Sequence, residues 1–250
     1  MRLRTVAILL LALLVRASDI AADTVVHIFL DAANPPFMYA TSDQKAAGIY
    51  PAIIAEAFSR MGTPVRISAE PWKRALAEME SGMGGIGGIY KTTPRLEKYD
   101  YSDELYVERL QVVVLASQSF PYSGLESLRG KHVGVLRGWS YGDAFDQARA
   151  AGDFTVEEVE SDSQNLAKLQ AGRIHAMVAT REGADASIAV SNSPRDFIIL
   201  EPPLLEMPTY LAFAKHARKT ELLASFNAAL ASMRRDGTWN KIIMSILARP

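Results

Sequence analysis

The chain has 250 residues, about half of them apolar, with 16 glycines, 12 prolines and no cysteine. That length and composition allow one large or two modest hydrophobic cores and exclude a disordered chain, while the missing cysteine excludes a disulfide framework, a thiolate metal centre and a lipid-anchored cleavage box. The formal charge of −1 becomes −3 once residues 1–22 leave with Arg2, Arg4, Arg16 and Asp19, a balance that gives no support to nucleic-acid binding.

The N-terminus reads as a secretory leader. Arg2 and Arg4 supply its positive region, residues 7–15 its apolar core, and Ser18 to Ala22 a small-residue exit with Ile20 and Ala22 at the −3 and −1 positions, which places cleavage after Ala22. The apolar run is far shorter than the roughly 20 residues of a membrane span, and Arg16 and Asp19 close it. From Thr24 a β-branched run predicts a strand that empties into the turn-rich DAANPP segment and then Phe37, Met38 and Tyr39. Loops at the carboxyl ends of strands are where α/β sheets place ligand contacts, so Phe37 and Tyr39 are candidate pocket walls, against the alternative that they cover a sheet edge. A helix follows over residues 48–61, with Ile53, Ile54, Ala57, Phe58 and Met61 at helical spacing and Gly62 as its stop. PVRISAE predicts the second strand. EPWKRALAEMESG predicts a helix with Pro71 in its first turn, which leaves Trp72, Lys73 and Arg74 at the mouth of any cleft. Trp72 is either a packed cap or an aromatic wall. Arg74 is misplaced with respect to the helix dipole and needs a partner, an acidic side chain or an anionic ligand.

The stretch from Gly84 to Tyr106, GGIGGIYKTTPRLEKYDYSDELY, carries the densest chemistry. A glycine-rich strand whose backbone something approaches closely runs into a polar turn with Lys91, Thr92, Thr93 and Arg95, then Asp100, Ser102 and Asp103. Arg offers a planar fork of donors and Thr a short donor beside it, which suits a carboxylate; the local alternative is an ion pair of Arg95 with Glu97 or Asp100. Beyond it, LQVVVLAS predicts a strand and residues 117–129 a looser crossing segment. GKHVGVLRGWSYGDAFDQARAAG then repeats strand, glycine turn and helix, and free N–H groups at that helix start would make an anion site. FTVEEVE is a further strand, SDSQNLAKLQAG a helix capped by Ser161 or Ser163, and RIHAMVAT a strand ending at Thr180. DFIIL and TYLAFAK are strands separated by the connection EPPLLEMP, and a helix over residues 219–235 stops at Gly237.

Residues Gly88 to Arg95 resemble the G-M-T-I-T-P-E-R pattern, and Tyr99 to Tyr106 the (V/F)-D-F-S-x-P-Y segment, of the bacterial periplasmic solute-binding proteins, family 3, of amino-acid ABC transporters. Gly138, Trp139 and Ser140 fall on the same family's G-(S/T)-(S/T) turn, LQAGRIHAMVAT on its L-x-x-G-R-(V/I)-D-A-(V/M)-V-x-D segment, and DGTWNKI on its closing D-G-T-x-x-K-I. The resemblance implies a two-lobed α/β fold of type II periplasmic binding proteins, each lobe a mixed sheet flanked by helices, joined by two crossing strands. Residues 23–110 plus 208–250 would form one lobe and 111–207 the other, closing as a hinge on a buried ligand. It implies that Arg95 and Thr92, beside Gly88, grip a ligand carboxylate from the first lobe. Ser140 and the backbone at Gly138 would grip it from the second, with Arg137 alongside. Phe37, Trp72, Tyr90 and Trp139 would shape the side pocket. Two positions depart from the pattern: Tyr90 replaces a Ser or Thr, and Thr180 replaces the aspartate that typically holds an α-ammonium.

The implied function is capture of an amino acid or related carboxylate-bearing solute in the periplasm, by a monomer that works with an inner-membrane ABC permease and uses no cofactor. Two alternatives share the fold: a periplasmic enzyme similar to dehydratases acting on cyclohexadienyl acids, and a ligand-sensing module for a receptor kinase. Catalysis needs a positioned acid or base. The four histidines, His27, His132, His175 and His216, are scattered without metal-ligand spacing, and Asp31 and Glu70 are only single candidate acids, so no enzyme is expected.

Overall fold

The computed structural model describes residues 25–248, so the leader expected over residues 1–22 lies outside the described residues. The first half runs β1 (Val26–Asp31), β2 (Ala33–Asn34), β3 (Met38–Ala40), β4 (Ala46–Ala47), α1 (Ile49–Met61), β5 (Val65–Glu70), α2 (Trp72–Glu80), β6 (Gly85–Tyr90) and α3 (Thr93–Lys98). The long strand β7 (Tyr99–Leu115) leads on to β8 (His132–Leu136), α4 (Asp143–Ala151), β9 (Thr155–Val159), α5 (Asp162–Gln170), β10 (Ala176–Thr180) and α6 (Arg181–Ala189). A second long strand, β11 (Phe197–Ala214), returns the chain to α7 (Thr220–Arg235) and α8 (Thr238–Leu247).

Eight strands form one sheet in the order β5-β1-β6-β11-β7-β10-β8-β9. β1 is parallel to β5 and β6, and β8 is parallel to β9 and β10. Parallel neighbours need crossovers, supplied here by helices. Each parallel trio is therefore a packed α/β layer of its own, and β7 and β11, antiparallel to one another and to the trios, lie between them. Ile53, Ile54, Ala57 and Phe58 of α1 are buried with Ile28, Leu30 and Ile86 of the sheet and Phe226 of α7. Gly62 ends α1 in the left-handed conformation at φ 63°. Under the other trio, Val113, Leu115, Leu166, Leu169, Ile174 and Met177 make a second cluster.

Two stretches differ from the sequence expectation. The polar segment after Arg95 does not stay a turn: α3 closes it at Lys98 and Tyr99 opens a 17-residue strand. Ladder pairing with β11 from Tyr99↔Ala214 to Leu115↔Phe197 holds that strand; Asp103 and Arg109 sit on its exposed positions, while Ser102, Glu108 and Gln111 are buried. EPPLLEMP likewise lies inside β11, with a register shift between Leu200 and Leu205 that accommodates the two prolines, which lack ladder donors.

Candidate functional site

The glycine strand end is sterically required. Gly88 has φ 76°, and a β-carbon there would meet the Tyr50 ring at 2.7 Å and Met38 Cε at 2.9 Å. The chain then turns through Tyr90 and Thr92, the residue that precedes α3, and Arg95 folds back so that its guanidinium donates to the Tyr90 carbonyl at 3.2 Å. Arg95 is half-buried, burial lowers its pKa, and among the described residues no carboxylate lies within ion-pair distance of it. The pair with Glu97 or Asp100 is not formed. Neighbouring acids are engaged elsewhere, Glu80 by the Tyr99 hydroxyl and Asp146 by the Ser140 hydroxyl. Arg74 found the acidic partners its position demanded, Glu70 at 2.7 Å and Glu78 at 2.9 Å.

The turn after β8 faces Arg95 from the other half of the sheet. Gly138, at φ 76°, leaves room for Lys73, whose Cγ would be 2.7 Å from an added β-carbon. Trp139 reaches across to β1, where its Nε1 donates to Asp31 Oδ2 at 2.7 Å. Its ring centroid lies 5.8 Å from that of Trp72 and 6.1 Å, edge-on, from that of Tyr90. The turn before α4 is tied within itself: Ser140 Oγ donates to Asp146, the Tyr141 N–H donates to Asp146 Oδ1 at 3.3 Å, and the Gly142 N–H to Ser140 Oγ at 3.3 Å, while the helix start at Asp143 carries no side-chain cap. A second bridge between the halves joins Thr93 Oγ1 to Asp143 at 2.7 Å.

Trp72, Gly88, Tyr90, Arg95, Trp139 and Ser140 enclose a cavity of about 10 Å3, space for about one water. The other sequence candidates lie outside that lining. Phe37 is fully buried between the rings of Tyr50 and Tyr106, at 5.4 and 5.3 Å. Thr92 is buried at the start of α3, and Gly138 backs the turn. Arg137 is exposed and paired with Glu160 at 2.6 Å. Thr180 is buried and caps α6, accepting from the Gly183 N–H at 3.1 Å.

With this geometry in view, residues 26–247 match the profile of the bacterial extracellular solute-binding proteins, family 3. The chain belongs to that family. It is 24% identical over 211 residues to the L-cystine-binding protein TcyJ of Escherichia coli (strain K12), covering 84% of this chain and 77% of that one. It is 25% identical over 229 residues to the L-arginine-binding protein of Pseudomonas aeruginosa, covering 89% and 87%. The substrate-binding protein of an amino acid ABC transporter superposes with a TM-score of 0.74 at 21% identity, covering 90% of this chain and all of that one, which establishes the two-lobed type II periplasmic-binding fold. The two parallel trios are the sheets of the lobes, and β7 with β11 makes the crossing pair.

This solute-binding protein also carries, among the described residues, three buried acids, of which the sequence singled out Asp31 but not Glu108 or Asp162. Glu108 of β7 accepts from the hydroxyls of both Tyr50 and Tyr90, and burial pushes its carboxyl up to about 7. Its only sequence signal is strand alternation, since it shares the inward phase of Leu110. Asp162, the first residue of α5, is buried with Oδ1 unpartnered among the described residues and is also pushed up to about 7 by burial, with Asp31 adding to it. Asp31, at the end of β1, is pushed up to about 6 by burial, partly offset by the Trp139 N–H. Around the small cavity stand the Arg95 guanidinium, the rings of Trp72, Tyr90 and Trp139 and, bonded to Trp139, the Asp31 carboxyl, which can hold a proton near neutrality.

Proposed function

We propose that this chain is a periplasmic receptor that captures an amino acid or a related carboxylate-bearing solute between its lobes and delivers it to an inner-membrane ABC permease. The observation that carries this reading is Arg95: a half-buried guanidinium in the cleft, bonded to one backbone carbonyl and to no carboxylate among the described residues. A desolvated cation of this kind favours an anionic partner, and a ligand carboxylate matches its planar fork. The relatives with an L-cystine-binding and an L-arginine-binding protein among them support an amino acid as ligand. In this reading, residues 23–110 plus 208–250 move against residues 111–207 by flexing β7 and β11, and a ligand touching both sides favours the closed state. Thermal unfolding of the mature protein against a panel of amino acids, amines and carboxylates tests it. A ligand at about 100 times its Kd adds about 2.7 kcal/mol, a rise of roughly 5–10 °C at about 2–4 °C per kcal/mol for a chain of this size.

Asp31 favours a second reading, a periplasmic enzyme of the same fold. A cleft carboxyl pushed up to about 6 is poised for general acid or base work. Mass spectrometry of each stabilising solute after prolonged incubation separates the two: unchanged solute supports the receptor, a product supports the enzyme.

A further inference from the structure

The small cavity at Arg95 has a larger neighbour. A second cavity of about 310 Å3 is walled by Asp31, Pro71, Arg137 and Glu160 among others, and Trp72 and Trp139 line both spaces. The two indoles are the partition between them. One side of that partition is tied down by a single side-chain bond, Trp139 Nε1 to Asp31. The other, Trp72, is buried with its Nε1 unpartnered among the described residues, and a buried donor left unmade favours any arrangement that brings it an acceptor.

An amino acid whose carboxylate sits on Arg95 does not fit in the space of one water. Some wall must therefore move, and Trp139 is the wall that joins the two cavities when it leaves. It stands on a glycine turn next to Gly138, and it is held to the first lobe by one acceptor. That acceptor has donors but no cation: Asp31 receives the Trp139 N–H and the Ala33 N–H at 3.0 Å, and no Lys, Arg or His lies within ion-pair distance of it among the described residues.

We infer that Trp139 is an internal stand-in for the ligand. Its indole fills the volume of the solute's body, and its N–H takes the position of the solute's own donor at Asp31. A solute with a carboxylate for Arg95 and an ammonium, guanidinium or amide N–H for Asp31 displaces it and occupies both cavities. The inference rests on the receptor reading above and adds that Trp139 sets affinity and ligand size, because a binding space that is open only part of the time lowers the apparent affinity by that fraction.

Calorimetric titration of the mature wild type, Trp139→Ala and Trp139→Phe with L-arginine, L-lysine and succinate tests it, with circular dichroism confirming that each variant is folded. The expected result is at least tenfold tighter L-arginine or L-lysine binding by Trp139→Ala than by the wild type. Trp139→Phe, which keeps a ring but loses the N–H, falls between them, and succinate, with no N–H donor, gains less. Equal or weaker amino-acid binding by a folded Trp139→Ala overturns the inference and leaves the receptor reading intact. Failure of all three solutes to bind any of the folded proteins overturns both. Should Trp139→Ala misfold, the wild type labelled with 5-fluorotryptophan carries the test. The Trp139 fluorine resonance is expected to shift on L-arginine addition while that of Trp239 stays put, and an unmoved Trp139 resonance in a protein that binds L-arginine overturns the inference.

Discussion

At the scale of single residues, the account depends on Arg95 and on the glycine that makes room beside it. Replacing Arg95 by Ala removes a charge-assisted hydrogen bond worth about 1.5–3 kcal/mol, so solute affinity is expected to fall about ten- to a hundredfold with little change in thermal stability, as calorimetry and a melting curve together would show. Gly88 behaves in the opposite way. Its φ of 76° and the Tyr50 ring 2.7 Å from a would-be β-carbon make Gly88→Ala both strained and overpacked. The expected cost is about 2 kcal/mol or more, seen as a melting temperature lower by roughly 4–8 °C. An Ala variant that melts with the wild type would mean that the strand end is not held as described.

At the scale of elements, β7 connects the lobes and carries the acid most buried from solvent. Glu108 is 0% exposed and sits between two tyrosine hydroxyls, with a carboxyl raised from 4.5 to about 7. Between those two values the folded state keeps a proton that the unfolded chain has lost, so stability falls as pH rises through that window and levels off above it. Asp162 and Asp31, raised to about 7 and about 6, act in the same direction. Urea unfolding is therefore expected to give a higher midpoint at pH 5 than at pH 8, and Glu108→Gln is expected to flatten that dependence; a midpoint that climbs from pH 5 to pH 8 would contradict the assignment. Element periodicity also explains what the sequence disclosed. α1 was legible because Ile53, Ile54, Ala57 and Phe58 repeat at the helical spacing that buries them. β6 was legible because glycine and isoleucine suit a strand under close backbone approach. The length of β7 and β11 was not, because their polar and proline-bearing halves are held by pairing between residues about a hundred positions apart, such as Tyr99 with Ala214, which no local pattern encodes.

At the scale of the whole molecule, the site is built where the carboxyl ends of β6 and β8 face one another across the crossing strands. Six of the sequence candidates, Trp72, Gly88, Tyr90, Arg95, Trp139 and Ser140, meet there. Local chemistry combined with the family pattern had pointed to residues that the fold brings together. Phe37 lies off that lining, because an aromatic in a strand-end loop reads the same whether it faces the cleft or, as here, packs between Tyr50 and Tyr106. Glu108 and Asp162 were silent because burial of a carboxyl is decided by the packing of distant elements around it. Trp139 to Asp31 and Thr93 to Asp143 bridge the two halves, so their arrangement is held by the protein's own side chains.

The central claim is that Arg95 receives a ligand carboxylate between the lobes. The most direct measurement is a calorimetric cycle on the wild type and Arg95→Ala, using the amino acid that most stabilises the wild type and its methyl ester, which lacks the carboxylate charge. Esterification and Arg95→Ala should each weaken binding about ten- to a hundredfold, and together little more than either alone, because both remove the same contact. Full additivity of the two losses, or an Arg95→Ala protein that binds the free amino acid as tightly as the wild type, would contradict the claim.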